Sequence, residues 1–453
     1  MTQKLKYERP HIKKLESEMP TKFGAKTNFK PVKDIDGVPI DFLVKDYGSP
    51  LFVISEKTLR ETFRSARKAF ETRYPRVQFA WSYKTNYHGA VCRAYHQEGS
   101  WAEVVSGFEY EKALRNGVPG DKIIFNGPDK TEADLEKAIA HGSLIHIDHS
   151  EEFYTIVSLC DRMKEKPRVA IRVNMDTNVY PMWDRFGFNY ENGQAQDILN
   201  KIMRSGKMDL VGLHCHIGTF MFSANAYGIA ASKLANLAMS LKRKYNHSIR
   251  YIDLGGGFAS QNTLKGSFLP GIDSNPGFDE YAEAISTALL NSELPSDNLP
   301  LLILETGRAL IDDAGYLISS VIANKRTSTG KRITVLDVGV NSLFTSFWYD
   351  HKIIPAQDFT KHAEETTLYG PLCMNIDVIR EHISLPLLNK GEKVVIHQVG
   401  AYNMTQWMQF ITLRPAIVMV GLDGKSYLIR QAEEIDNVIG PERIPEHLSQ
   451  FDL

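Results

Sequence analysis

Four places along the chain set a chemically capable residue at the end of an apolar run. Lys84 ends FAWSYK, and His214 and His216 close GLHCHIGT. Gly255, Gly256 and Gly257 close YIDLGGG, and Glu305 and Arg308 end LLILETGR. A lysine at the tail of such a run is partly desolvated, which is expected to lower its pKa and suit it to attack on an aldehyde. The plainer use is an amine snorkelling to water. The two histidines, two apart, share one face of a strand. They could bind a metal, one could stack on a flat ring, or both could be satisfied core residues. A glycine run lets backbone approach an anion and aim its N–H groups at it, though it also makes an ordinary turn. A carboxylate at 305 can accept a hydrogen bond from a protonated ring nitrogen, and a guanidinium at 308 can bind phosphate. The bland alternative for that pair is a surface Glu–Arg contact of little worth.

These residues need a scaffold that brings strand ends together. Eight apolar runs recur between residues 77 and 308: VQFAWSYK, WAEVVS, KIIFNG, LIHID, VAIRVN, LVGLHCHIG, YIDLGGG and LLILETGR. Most lack strict alternation, as strands buried on both faces should. Amphipathic stretches such as TLRETFRSARKAFETR and EYEKALRNG lie between them, the second ending in an Asn-Gly stop. The pattern predicts an α/β fold, a (β/α)8 barrel with its chemistry at the C-terminal strand ends. An open doubly wound sheet is the competing topology. Past about residue 310 the texture becomes short strands and turns: AGYLISSVIANKRT, RITVLDVG, EKVVIHQVG, PAIVMV and KSYLIRQ. Three parts follow: an N-terminal extension, 1–47; a barrel, 48–310; and a mostly β domain, 311–453. A strand around GVPIDFLV is expected to join that β domain, and residues 1 to about 30 to form a polar surface extension, partly helical.

Bulk composition narrows the function. The chain has 453 residues, too many for one ordinary domain, and a net charge of −1. No overall field favours nucleic acid or an anionic membrane. The four cysteines, Cys92, Cys160, Cys215 and Cys373, form no CxxC pair, so neither a zinc knot nor a disulfide framework is expected. The first residues are charged and do not read as a signal peptide. No stretch approaches the roughly 20 apolar residues needed to cross a bilayer. A reducing, cytoplasmic setting is the simplest expectation, with no metal required.

Together the strand-end residues supply a lysine for an aldehyde, a stacking imidazole, a phosphate cradle and an acid for a pyridine nitrogen. Those are the requirements of pyridoxal 5′-phosphate (PLP), whose ring withdraws electrons while the protein orients and tunes it. The motifs SYKTN, WAEVVSGFEYEKAL, IIFNGPDKT, RFGF, GLHCHIGT, DLGGGF, ETGR, WYD, GPLCMNID and GAYNM occur in that order from about residue 45 to 435. In order and spacing the chain resembles the fold-type III PLP-dependent decarboxylases, above all diaminopimelate decarboxylase and more distantly ornithine decarboxylase. The resemblance implies that Lys84 attaches the cofactor and Glu103 lies near it. It implies that His216 stacks on the ring, and that Thr219, Gly255 to Gly257, Arg308 and Tyr402 hold the phosphate. Glu305 would pair with the pyridine nitrogen. Racemases on this barrel resemble it but carry arginine there, so Glu305 favours a decarboxylase. Cys373 would protonate the carbanion left by CO₂ loss, reaching the partner's site in a two-fold homodimer. From sequence alone, a cysteine in a β domain is more often a plain buried one. The rival functions are a PLP-dependent racemase, a catalytically inactive regulatory homologue, and a cofactor-free lysine aldolase.

The chain departs from the diaminopimelate pattern at the substrate's far end. Met374 follows Cys373 where that family carries a glutamate, and a thioether cannot pair with an ammonium. Thr345 stands where an arginine would hold a distal carboxylate, and ETGR replaces the commoner EPGR. Asp350, beside Tyr349, remains where ornithine decarboxylase uses an aspartate for the distal amine. Tyr349, Asp350 and Met374 are therefore the expected substrate contacts. Losing buried partners for charged groups costs about 2–5 kcal/mol. The expected substrate is thus a basic amino acid of either hand, such as ornithine or lysine, or a biosynthetic conjugate, rather than meso-diaminopimelate.

Overall fold

A computed structural model of the chain describes residues 30–359 and 362–448. The extension expected at the very N-terminus therefore lies outside the described residues. Eight parallel strands close a barrel in chain order: Val77–Ser82, Trp101–Val104, Ile123–Phe125, Leu144–Ile147, Arg168–Asn174, Asp209–His214, Tyr251–Asp253 and Leu301–Leu304. The last pairs with the first, and Asp209–His214 pairs with both Arg168–Asn174 and Tyr251–Asp253. The eight apolar runs of the sequence are these eight strands. Ala80, Ile124, Leu144, Ala170, Val211, Tyr251 and Ile303 fill the barrel as one buried cluster. Gly212 makes room for the Tyr251 ring, since a Cβ there would lie 2.3 Å from it.

Helices wrap the barrel for local reasons the sequence carries. Glu56–Glu71 starts where the Ser55 hydroxyl accepts the Thr58 N–H, and it buries Leu59, Phe63, Ala66 and Phe70 at helical spacing. Glu132–Ala140 opens with a capping box between Thr131 and Asp134. Gly107–Arg115 ends at Asn116, with Gly117 at φ +87°, the stop its Asn-Gly dipeptide predicts.

The second sheet runs Val378–Pro386, Ala363–Tyr369, Arg332–Leu336, Gly315–Arg326, Leu51–Ser55, Ala416–Val420, Ser426–Arg430. Lys393–His397 also pairs with Gly315–Arg326. The N-terminal strand of this sheet is Leu51–Ser55, not the expected GVPIDFLV. In that segment only Val38–Pro39 is strand, in a two-residue pairing with Asp34–Ile35, and Ile40–Tyr47 is a helix. Ile40 and Leu43 are its buried residues, three apart, so the apolar period is helical rather than alternating. Leu51–Ser55 is buried at all five positions and is gripped by strands on both edges. Among the described residues the chain thus passes through this sheet, builds the barrel and returns to it.

One charged pair is sealed between the barrel and its helices. Lys130 Nζ lies 2.9 Å from Glu152 Oε1, with both side chains buried, and also donates to the Gly127 carbonyl. The other Glu152 oxygen accepts the Asp148 N–H at 2.9 Å. Removing one member strands the other in a dry site. Lys130→Met is expected to cost about 3–5 kcal/mol in urea denaturation, with part of the loss recovered by adding Glu152→Gln. An unchanged midpoint would show that water reaches this pair.

Candidate active site

The strand ends open into a cleft of about 370 Å³ lined by Ser82, Lys84, Thr85, His216, Thr219, Gly256, Gly257, Phe258, Glu305, Gly307, Arg308 and Tyr402. Lys84 sits in a short turn, Tyr83–Thr85, directly after the first strand. The second sheet pins that turn. Tyr402 N–H donates to the Thr85 carbonyl, and Thr405 Oγ1 donates to the Lys84 carbonyl at 2.9 Å. Lys84 Nζ lies 2.7 and 3.0 Å from the two oxygens of the fully buried Glu103. The sequence led us to expect a lowered pKa for Lys84, and the structure reverses that. Burial pulls it down, but the carboxylates of Glu103 and Glu305 outweigh burial and hold it above the ordinary lysine value.

Glu103 and Glu305 are joined. Asn126 Nδ2 donates to Glu103 Oε1 at 3.0 Å and to Glu305 Oε1 at 2.6 Å. Ser82 Oγ donates to the other Glu103 oxygen. Asn126 closes the third strand, in a motif the sequence displayed but to which we gave no role. The same strand-end logic that selected Lys84 would have found it.

His214 and His216 do not act as one pair. His214 faces into the barrel, its ring 4.6 Å from that of His146 and its Nε2 3.4 Å from Glu305 Oε2. His146, His214 and Glu305 bring one ligand-type atom each within 4.8 Å of one another. Glu305 is already tied to Asn126, so we read the histidines as its support rather than as a metal centre. His216 lies past the strand end, in the cleft wall. Its Nδ1 accepts the Gly256 N–H at 3.1 Å, which leaves the proton of the neutral ring on Nε2. Burial first, then the positive charge of Arg172 and Lys84, keeps it uncharged. Trp183 flanks it at 5.5 Å, a neighbour invisible in sequence because it comes from a different loop.

The three glycines divide their work. Gly255, at φ +64°, gives its N–H to Asp253 Oδ1 and does not line the cleft; Gly256 serves His216. Gly257 is at φ +96°, and a Cβ on it would meet the Gly218 carbonyl at 2.2 Å. The expectation that all three aim amides at an anion is therefore corrected: two are spent internally, and Gly257 remains for it. Beside Gly257, Arg308 Nη2 donates to Thr219 Oγ1 at 3.0 Å. Its guanidinium lies 4.8, 5.4 and 5.7 Å from the rings of Tyr402, Phe220 and Tyr349. This is a fenced cation with a hydroxyl beside it, suited to a phosphate. The same cleft is lined by the Glu305 carboxylate, which can accept from a positively charged donor. A flat cofactor carrying a phosphate at one end and a basic ring nitrogen at the other fits between them.

The remaining expected residues lie outside this lining. Tyr349 is buried against Phe220 at 5.3 Å, and its hydroxyl has no hydrogen-bond partner. Asp350 is 3.3 Å from Arg380, a contact the sequence did not announce. Thr345 is buried, its hydroxyl bonded to His351 Nε2 at 2.8 Å and Asn403 Oδ1 at 2.9 Å, so it offers nothing to a substrate. Cys373 is exposed, against the plain buried cysteine that sequence alone favours. Met374 is partly buried on the core.

Comparison with known proteins agrees with this geometry. The family described as "Pyridoxal-dependent decarboxylase, pyridoxal binding domain" matches residues 57–312. A diaminopimelate decarboxylase of Aquifex aeolicus is 27% identical over 417 residues, covering 90% of this chain and 94% of that one. The crystal structure of diaminopimelate decarboxylase from M. jannaschii in complex with L-lysine is similar with a TM-score of 0.84 at 27% identity, over 92% and 96% of the two chains. Lysine/ornithine decarboxylase from Vibrio vulnificus, complexed with putrescine, shares the fold with a TM-score of 0.72 at 23% identity, over 85% and 98%. No helix among the described residues is long and apolar enough to cross a membrane. With a closed parallel barrel, a lysine at its first strand end and a matching sequence pattern over more than half its length, the chain belongs to the pyridoxal-dependent decarboxylases and is a PLP-dependent carboxy-lyase of the fold-type III, diaminopimelate decarboxylase-like group.

Proposed function

We propose that this enzyme removes the carboxyl group from an amino acid, or an amino-acid-derived conjugate, other than meso-diaminopimelate. The observation that carries the reading is the single cleft in which Lys84, the Glu103–Asn126–Glu305 bridge, neutral His216 and caged Arg308 face one another. PLP, when bound, accepts the electron pair left behind as CO₂ departs. Everything else falls to the chain. Lys84 Nζ is the amine offered to the cofactor's aldehyde, and Glu103, 2.7 Å away, holds or takes its proton. Glu305, oriented by Asn126, keeps a proton on the ring nitrogen, which deepens the electron sink. His216 gives the ring a flat, uncharged face. Gly257, Thr219, Arg308 and Tyr402 grip the phosphate.

Cys373 stands outside the cleft of its own chain. We assign it as the proton donor to the carbon in a second copy's cleft, in a cytoplasmic two-fold homodimer. Tyr349, Asp350 and Met374 border the substrate's far end. Met374 for a glutamate, and a Thr345 hydroxyl already committed to His351 and Asn403, leave both distal charges of meso-diaminopimelate without their usual partners.

Purified enzyme, given L- and D-amino acids while CO₂ is trapped, tests the reading. We expect a visible cofactor band that shifts with substrate, and slower CO₂ release from meso-diaminopimelate than from the best amino acid in the panel. A protein that neither carries nor takes up PLP would sink the assignment. Lys84→Ala should abolish both the band and turnover; full turnover in that variant would remove Lys84 from the chemistry. Arg308→Met deletes charge-assisted hydrogen bonds to phosphate worth about 1.5–3 kcal/mol. It should weaken PLP binding by roughly ten- to a hundredfold in equilibrium titration, and an unaltered affinity would place the phosphate elsewhere.

A further inference from the structure

Asp350 occupies a deliberate place. It follows Tyr349, whose ring packs on Phe220 and lies 5.7 Å from the Arg308 guanidinium of the cleft wall. Its own N–H is fixed to the Thr263 carbonyl, in the loop that follows the glycine run. An unpaired carboxylate here would attract the ammonium of a basic side chain. It is not unpaired. Arg380, from the strand Val378–Pro386, sets Nε 3.3 Å from Asp350 Oδ1 and gives Nη1 to the His351 carbonyl at 2.7 Å. The side chains are 16% and 29% exposed, for Arg380 and Asp350 respectively. That is too sheltered to be screened away like a surface pair. The backbone bond holds the guanidinium against the aspartate whether or not a ligand is present. Trp348 and Tyr349 precede the aspartate in the chain, and the Tyr349 ring packs on Phe220.

We propose that Arg380 sets the substrate preference of this enzyme: by pairing with Asp350 it cancels the carboxylate available to a distal ammonium, so the site takes a side chain whose far end is uncharged, such as an acylated amine, rather than a bare ammonium. The inference rests on the decarboxylase reading and narrows it, turning the choice between a basic amino acid and a conjugate toward the conjugate. An ammonium entering this place would have to displace Arg380 or sit beside a cation, and either cost disfavours it. An uncharged amide end meets an ion pair without such a conflict.

The comparison that isolates the far charge is lysine against norleucine and Nε-acetyl-lysine, in both hands. Binding is read from the change in the bound cofactor's visible spectrum, and turnover from CO₂. For the wild-type enzyme, lysine should bind no better than norleucine, and Nε-acetyl-lysine at least as well as either. Arg380→Met should raise the lysine-to-norleucine preference tenfold or more while the cofactor band stays near wild type. Arg380→Gln serves if the methionine variant folds poorly, and Arg380→Lys, which keeps the positive charge, should retain the wild-type preference. Adding Asp350→Asn to Arg380→Met should erase the gain, a reversal that a merely structural role for Arg380 would not produce. A wild-type enzyme that already prefers lysine tenfold, or an Arg380→Met variant with an unchanged ratio, overturns the proposal and leaves the decarboxylase reading intact. A protein without the cofactor band would instead overturn that reading, and this inference with it.

Discussion

The constraint on which the rest of the site depends is charge balance at the floor of the cleft. Two carboxylates, Glu103 and Glu305, share one amide, Asn126, and face one nearby lysine. The other neighbouring cation, Arg172, is 3.6 Å from Asp148 and belongs with it. Asp253, buried beside Glu305, is pushed well above the usual carboxylate range by burial and by that neighbour's charge. Three carboxyl groups, Glu103, Asp148 and Glu305, thus stand against two cationic side chains, Lys84 and Arg172. Buried charge of that kind is costly unless something answers it. In the reading we propose, a ring nitrogen that keeps its proton would answer it. At the far end the imbalance is reversed, with a guanidinium fenced by rings and awaiting an anion.

Much of this was legible because a parallel barrel leaves a strong trace. Strands buried on both faces read as continuous apolar runs, and a polar residue closing such a run has few structural reasons to be there. Lys84, His216, Gly257, Glu305 and Arg308 were found that way, and all five line one cleft. Asn126 obeyed the same rule and was overlooked because an amide at a strand end is chemically quiet by itself. What the sequence could not show was which charges meet. The raised pKa of Lys84 depends on Glu103 lying on the neighbouring strand. Trp183 beside His216, and Arg380 beside Asp350, are contacts between segments about 30 residues apart or more, with no periodicity to betray them. The helix at Ile40–Tyr47 was misread for a different reason. A short apolar stretch does not declare its period until one face is seen to be buried.

The second sheet is part of the site rather than an appendage. Tyr402 and Thr405 hold the Lys84 turn through backbone bonds, and Asn86 Nδ2 reaches the Gly400 carbonyl at 3.1 Å. Tyr402 stands at φ +65°, a conformation unusual for a bulky residue, while its ring packs against Arg308. The lysine and the arginine of the cleft are therefore both positioned by contacts that cross from barrel to sheet. A ligand spanning the cleft engages groups that each layer helps to hold, so its binding energy also secures the junction between them.

The same crossing bears on the far-end specificity we propose. An arginine at 345 would have to enter a buried position where a threonine hydroxyl joins His351 to Asn403, and neither of those partners carries a negative charge to answer a guanidinium. Once that place is closed, Asp350 left alone would be a partly buried carboxylate beside aromatic rings. Arg380 supplies its counter-charge from the strand Val378–Pro386 and anchors on the His351 carbonyl, so in the reading we propose one residue both satisfies the aspartate and withdraws it from the substrate. Under the proposed specificity, Thr345, Met374 and Arg380 would act together, with the cofactor machinery held by the barrel ends and the far end of the substrate met by the sheet.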